Sequence, residues 1–501
     1  MFKHDEGSLR KMNESKPSQI YSDEVYHAHK DGDIFIHNFE DTGKGYSSGW
    51  SIEEIEEKTK PKTLADLFNS ILDNIRLLSD EWVGSQAYNN LDLAAVNYSD
   101  QKKEIYDRFL SSINRKTAFS INTDEGSSDT FHDYLLNNLE KGYLQGNFNT
   151  IPIVSIKNGT SWDSEILRKY ISSSFKYGNI HFQNYLTGTI TYDQLTQKPK
   201  ETDLSNVYLR QGGIVGNSDE RGILGIITIN LPRLGYLSKS EDEFFESLDQ
   251  VLDLAFVASE QKRDYMETRL EDGSLKRTAE YLDSFIWHFS VINLSGMNEA
   301  LLYAIEAGTA HIAGKAVTYK LLERILRKLE EQQQKSGNLY SLEALPSEEA
   351  GSVLAEKDRL KHPGMFNNDP IFYTDSTNLP PDHGDDLWDW LEHQKKYHSI
   401  YTGGAIFQVN LAEMINFRPE CVTLVRKMLE EFGYNYLKIS PEFSICNDHG
   451  YLRGPQKVCG VCGKTIHTYT WIDGFIRPVE SLNKVLKEAH EKRVHHIIKS
   501  N

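Results

Sequence analysis

The sequence predicts an α/β protein, and three features carry that expectation. Ile151-Pro152-Ile153-Val154 and Ile223-Leu224-Gly225-Ile226-Ile227-Thr228-Ile229-Asn230-Leu231 are continuous apolar runs, suited to strands covered on both faces. Elsewhere apolar residues recur at helical spacing, as in the stripe Leu322, Ile325, Leu326 and Leu329, with Lys and Glu on the opposite side. Strands and helices alternate along most of the chain, which points to an α/β architecture. A barrel fits that pattern and so does an open sheet, because periodicity does not separate them.

Taken in order, residues 1–30 are polar and predict irregular structure or a surface helix. Asp33-Ile34-Phe35-Ile36-His37 alternates with period two, as a short strand does. Thr63, with Asp66 three residues on, makes a capping-box-like helix start. Leu64, Leu67, Phe68, Ile71, Ile75 and Leu78 then place one face of that helix in a core. The region 333–400 holds Pro363, Pro370, Pro380 and Pro381 and reads as richer in loops. Near 440, Ser440-Pro441 leads into a Cys- and Gly-rich segment. The chain therefore divides into an α/β unit, 1–440, and a C-terminal segment, 441–501.

The 501 residues, 39% hydrophobic and 26% charged, suffice for a sizeable core. A net charge of −18 argues against a duplex-binding surface, which needs clustered Lys and Arg. It leaves room for a bound nucleotide, for which one local pocket is enough. No run reaches the roughly 18 apolar residues of a membrane span, and the N-terminus lacks the apolar core of a signal peptide. A cytoplasmic location is expected, with no nucleic-acid or membrane partner. Of four cysteines, three lie within 446–462, a pattern of metal binding rather than of a disulfide framework.

Cys446-Asn447-Asp448-His449-Gly450 and Cys459-Gly460-Val461-Cys462-Gly463 form two ligand pairs, each ending in Gly. Two residues between ligands let a tight turn aim both side chains at one ion, and Gly permits the backbone angles this requires. Cys446, His449, Cys459 and Cys462 leave no open position and predict a structural zinc site. Cys421, Leu424, Val425 and Met428 share helical spacing, so Cys421 is expected on the buried face of a helix.

Beyond the zinc pairs comes Trp471-Ile472-Asp473-Gly474-Phe475-Ile476-Arg477-Pro478-Val479. Alone, Gly474 reads as a turn residue. Its position close behind the zinc pairs resembles the tail of the class III, anaerobic ribonucleoside-triphosphate reductases, with Phe475 where that family has Tyr and Trp471 where it has Arg. Other segments resemble the family in order. Asp31-Gly32-Asp33-Ile34-Phe35-Ile36-His37 resembles a strand, Glu81-Trp82-Val83-Gly84-Ser85-Gln86-Ala87 a helix, and Ile227-Thr228-Ile229-Asn230-Leu231-Pro232-Arg233 a strand whose Asn reaches the active site. His288-Phe289-Ser290, Gly296-Met297-Asn298-Glu299, Asn338-Leu339-Tyr340-Ser341-Leu342-Glu343-Ala344 and Tyr401-Thr402-Gly403-Gly404 extend the match.

The resemblance implies a ten-stranded α/β barrel, usually dimeric, with a zinc-binding glycyl-radical tail. It implies a radical at Gly474, installed by an S-adenosylmethionine iron–sulfur activase, a ribonucleoside triphosphate substrate, and polar contacts from Asn230. It begins near residue 31, so the family's N-terminal ATP-binding cone and its control by ATP and dATP are not expected. In the family a finger-loop cysteine becomes a thiyl radical, and a second cysteine helps to reduce the substrate. The finger-loop region, about 203–222, contains Tyr208 but no Cys, and Ser47 in Tyr46-Ser47-Ser48-Gly49-Trp50 stands at the place of the second cysteine. A serine O–H bond is far stronger than a thiol S–H bond and cannot relay such a radical. Two readings follow: a reductase assigned by family, or a divergent homologue that binds, regulates or acts on another substrate. A zinc-ribbon nucleic-acid binder is disfavoured by the acidic balance.

Overall fold

The structure is a computed structural model that describes residues 16–123, 127–144, 147–186, 219–365, 372–472 and 475–498. Ten strands close into a barrel: β2 (Ser47–Trp50), β3 (Gln86–Tyr88), β4 (Thr117–Ile121), β5 (Thr150–Ile156), β6 (His181–Asn184), β7 (Gly222–Asn230), β8 (His288–Ser295), β9 (Leu339–Ala344), β10 (Gly404–Leu411) and β11 (Tyr436–Pro441). β2 to β6 run parallel in sequence order, and so do β7 to β11. The two five-stranded halves meet at two antiparallel seams, β2 with β7 and β6 with β11. Each parallel step needs a crossover, and helices between the strands supply it and cover the outside. β1 (Ile34–Ile36) lies outside this ring and pairs antiparallel with the far end of β7, Ile34 opposite Ile229.

The strand and helix expectations agree with these elements. Every residue of β5 is buried, as is nearly all of β7, because helices cover one face and the barrel interior the other. Thr63 caps the helix Leu64–Leu78: its Oγ1 accepts from the Asp66 amide at 3.1 Å while its own amide donates to Asp66 Oδ2 at 3.0 Å. The stripe of the helix Ile312–Ser336 is buried at Leu322, Ile325 and Leu329. Within the polar N-terminal stretch, Asp23–Asp31 is a surface helix that buries Val25 and Ala28.

Two expectations change. Glu81–Ala87 is not a helix. The segment leaves the end of the preceding helix and runs extended beside residues 45–46, where Val83 N donates to Gly45 O and Gly84 N to Tyr46 O, before β3 begins at Gln86. A Cβ on Gly84 would lie 2.6 Å from the Tyr46 carbonyl oxygen, so that approach needs glycine. The region 333–400 is also more regular than its prolines suggest. It holds the end of Ile312–Ser336, β9, and the helices Glu348–Lys361 and Leu387–Lys395; Pro363 follows a helix end and Pro380-Pro381 a turn, while Pro370 lies outside the described residues.

β11 ends at Pro441 and β12 (Phe443–Cys446) starts after a single intervening residue, Glu442. β12 belongs to a second sheet, ordered β13 (Gly450–Arg453), β12, β14 (His467–Ile472), β15 (Phe475–Pro478). Phe443, Ile445, Trp471 and Ile476 of this sheet share a core with Tyr143 and Tyr177 of the barrel's helices, so the tail is packed onto the barrel.

Candidate active site and metal centre

The barrel holds a cavity of about 490 Å³, lined from β2, β4, β5, β6, β7, β10 and β11, by β1 and the turn after it over residues 35–41, and by Arg477 of β15. Ser47 stands in its wall, 2% exposed, and its Oγ has no hydrogen-bond partner among the described residues. β2 reaches this position because β7 offers Gly222 at the seam, where a Cβ would lie 2.1 Å from the Ser47 carbonyl oxygen.

His181, Tyr436 and Lys438 line the cavity, although the sequence did not single them out. His181 Nδ1 lies 2.7 Å from the Tyr436 hydroxyl. Burial pushes the imidazole well below its ordinary value, and the charge of Lys438 adds to that, so His181 is neutral; its Nε2 has no partner among the described residues. Lys438 Nζ sits 3.4 Å from the centre of the Trp471 ring, a cation–π contact that ties β11 to β14. A period-two signal was present: Leu437 and Ile439 enter the outer core while Tyr436 and Lys438 face inward. Polar residues alternating within a buried strand mark such an interior.

Asn230 is placed elsewhere. It caps the helix Leu231–Leu237, its Nδ2 donating to Gly32 O at 2.8 Å and to Asp358 Oδ2 at 2.9 Å, while Oδ1 accepts from Arg233 N. Asp358 also accepts from Arg233 Nε at 2.6 Å and from the Tyr373 hydroxyl at 2.7 Å. Asn230 is fully buried in this network and does not line the cavity.

Gly474, like Tyr208 and most of the finger-loop region, lies outside the described residues. β14 and β15 on either side of it pair antiparallel, with Ile472 opposite Phe475. Cys421 is buried on the helix Pro419–Glu430 beside Leu424 and Val425, away from the cavity.

The four C-terminal ligands come together. Cys446 Sγ is 3.6 Å from His449 Nδ1 and 3.7 Å from Cys462 Sγ, and Cys459 Sγ is 3.5 Å from His449 Nδ1. All four donor atoms lie within 4.8 Å of one another. A tetrahedral zinc with ordinary Zn–S and Zn–N bonds has ligand–ligand edges of about 3.4–3.8 Å, so the donor set and its spacing fit that ion. Gly450 and Gly463 close the two pairs with φ of 73° and 72°, left-handed angles that favour glycine. Among the described residues no helix is long and apolar enough to cross a membrane.

Comparison with known proteins agrees with this architecture. The family described as anaerobic ribonucleoside-triphosphate reductase matches residues 7–496. The anaerobic ribonucleoside-triphosphate reductase of Enterobacteria phage T4 is 23% identical over 266 residues, covering 49% of this chain and 43% of that protein. This alignment spans less than half the length of the phage relative. A solved anaerobic ribonucleotide reductase superposes with a TM-score of 0.78 at 17% identity, covering 96% of this chain and 87% of the other. The Thermotoga maritima enzyme in complex with dATP and CTP superposes with a TM-score of 0.75 at 18% identity, covering 95% and 88%.

Proposed function

The chain belongs to the anaerobic ribonucleoside-triphosphate reductase family, and from that premise we propose that it binds a ribonucleoside triphosphate in the barrel cavity and carries a glycyl radical at Gly474. The observation that carries this reading is the roughly 490 Å³ cavity inside a closed ten-stranded barrel, reached by the radical-bearing tail through Arg477. The chain's own residues supply binding and orientation. Ser47, neutral His181 and Tyr436 stand in the cavity wall, and Lys438 and Arg477 bring basic side chains to it. Cys446, His449, Cys459 and Cys462 would hold a zinc ion, which would fix the fold of the tail. Gly474 would hold the radical, its Cα giving up one hydrogen atom to the adenosyl radical that an S-adenosylmethionine iron–sulfur activase would supply. We further propose, from the dimer usual in the family, that it assembles as a homodimer.

A second reading is favoured by Ser47. All four cysteines lie at or beyond residue 421, so no thiol of the sequence stands in the barrel to pass the radical to a ribose. On this reading the protein binds nucleotide without reducing it, or acts on another substrate. Anaerobic incubation with an activase, followed by electron paramagnetic resonance and assay of CTP reduction, separates the two. A doublet that disappears in Gly474→Ala, together with dCTP, supports the reductase; a doublet without deoxynucleotide leaves the second reading. Absence of any doublet overturns the assignment of the radical to Gly474.

A further inference from the structure

Arg477 brings a positive charge to the barrel cavity from outside the barrel. β15 is the edge strand of the second sheet and pairs only with β14, Arg477 opposite Thr470 and Ile476 opposite Trp471. Ile476 and Trp471 pack into the core shared with Tyr143 and Tyr177, so period-two alternation turns Arg477 away from that core. Arg477 is half-buried and forms part of the cavity wall. Its guanidinium makes no ion pair and no hydrogen bond among the described residues.

The surroundings do not neutralise it. Of the carboxylates in the cavity wall, Glu40 pairs with Lys30 at 3.3 Å and Asp41 with Lys44 at 3.0 Å, and Glu349 makes no ion pair with Arg477. Lysines approach from the barrel instead. Lys116 precedes β4, its Nζ donating to Phe148 O at 2.8 Å, and burial, then the charge of Arg477, pull its ammonium down to about 8. Lys438 lines the same cavity and holds its Nζ over the ring of Trp471, the residue opposite Ile476.

A cation in a partly enclosed wall, with like charges nearby, favours a ligand that brings the missing negative charge. The guanidinium fork matches two oxygens of one phosphate or carboxylate, and such a charge-assisted pair is stronger and more directional than one to a neutral group. Position adds a second consequence. Arg477 follows Gly474 by three residues on a strand held by one neighbour, so a ligand bound to it is joined to the hairpin and to the barrel wall at once.

Taking the barrel cavity as the ligand site, as above, we propose that Arg477 is its oxyanion-binding residue and that a phosphate or carboxylate docked there ties β15 to the barrel. Equilibrium binding of CTP, cytidine, inorganic tripolyphosphate and formate to the full chain tests this, together with amide exchange of β15 read by mass spectrometry. Arg477→Gln should weaken the oxyanion ligand about tenfold, the loss of a hydrogen bond to a charged group, and leave cytidine unchanged. Arg477→Lys, which keeps the charge without the fork, should lose less. Bound oxyanion should slow exchange in β15 several-fold, and not in Arg477→Gln. Arg453→Gln removes the same charge from β13, at the opposite edge of the sheet, and should change neither reading. Competition of tripolyphosphate with CTP identifies a phosphate as the docked group; formate binding that is lost in Arg477→Gln identifies a carboxylate. CTP binding indifferent to both Arg477 variants overturns the proposal and leaves the nucleotide reading standing. Formate binding that depends on Arg477, without binding of CTP or cytidine, supports the proposal and removes the nucleotide. No saturable binding of any oxyanion, equal weakening of cytidine, or exchange in β15 indifferent to bound ligand also overturns it. Melting temperatures identify a variant that fails to fold, and Arg477→Lys then carries the test.

Discussion

At the scale of single residues, Ser47 decides how far the family chemistry extends. The residue stands in the cavity wall and its buried hydroxyl makes no hydrogen bond among the described residues, so exchange for a thiol forfeits no partner. Ser47→Cys should therefore cost less than about 1 kcal/mol in urea unfolding. Its thiol should be alkylated by iodoacetamide and protected by CTP, read from the mass of the peptide; labelling indifferent to CTP would remove the nucleotide from this cavity. The identity of Ser47 was legible in the sequence, and its orientation was not, because side-chain direction depends on a seam with β7 formed from far along the chain. Asn230 shows the same limit. A residue at the end of a strand can enter a site or cap the next helix, and here Gly32, Asp358 and Arg233 take up its amide.

Among the elements, those defined by local chemistry were readable. The Thr63 capping box needs only residues three apart, and each zinc pair needs only a turn with a glycine after it. Glu81–Ala87 runs extended where the sequence predicts a helix, because its backbone partners, Gly45 and Tyr46, belong to another segment. The zinc sheet yields a prediction at this scale. A chelator, or Cys459→Ser, should remove one zinc per chain by metal analysis and loosen the sheet ordered β13, β12, β14, β15. The barrel should keep its far-ultraviolet circular dichroism, because its core clusters are built from other residues. Collapse of the whole spectrum on chelation would show the metal to be required by the barrel as well.

For the molecule as a whole, closure of the barrel was not deducible from periodicity, since two antiparallel seams between parallel halves are a property of long-range pairing. Its pH response follows from burial. His29, His37, His132, His288, His393, His398 and His496 are held at about 3 to 4, and His181 is held well below its ordinary value, chiefly by desolvation. An unfolded chain protonates these groups near 6.5, so their stabilisation is present above that pH and lost as pH falls toward 4. Asp92 and Asp219, at about 6, and Asp375, at about 8, act oppositely, but they are fewer. Each unopposed histidine contributes up to about 1.4 kcal/mol per pH unit, so melting temperature should fall steeply between pH 6.5 and 5. A flat profile would contradict the burial of these rings. The direct passage from β11 into β12 has a mechanical consequence. With Glu442 alone between them, and that residue's amide bonded to Leu411 O, there is no slack for the tail to swing as a hinged arm. Access by another protein to the β14–β15 hairpin has to come from unzipping the sheet at its edge. Amide hydrogen exchange should then be fastest in β15, slower in β14 and slowest in β12, the strand that carries torque straight into the barrel.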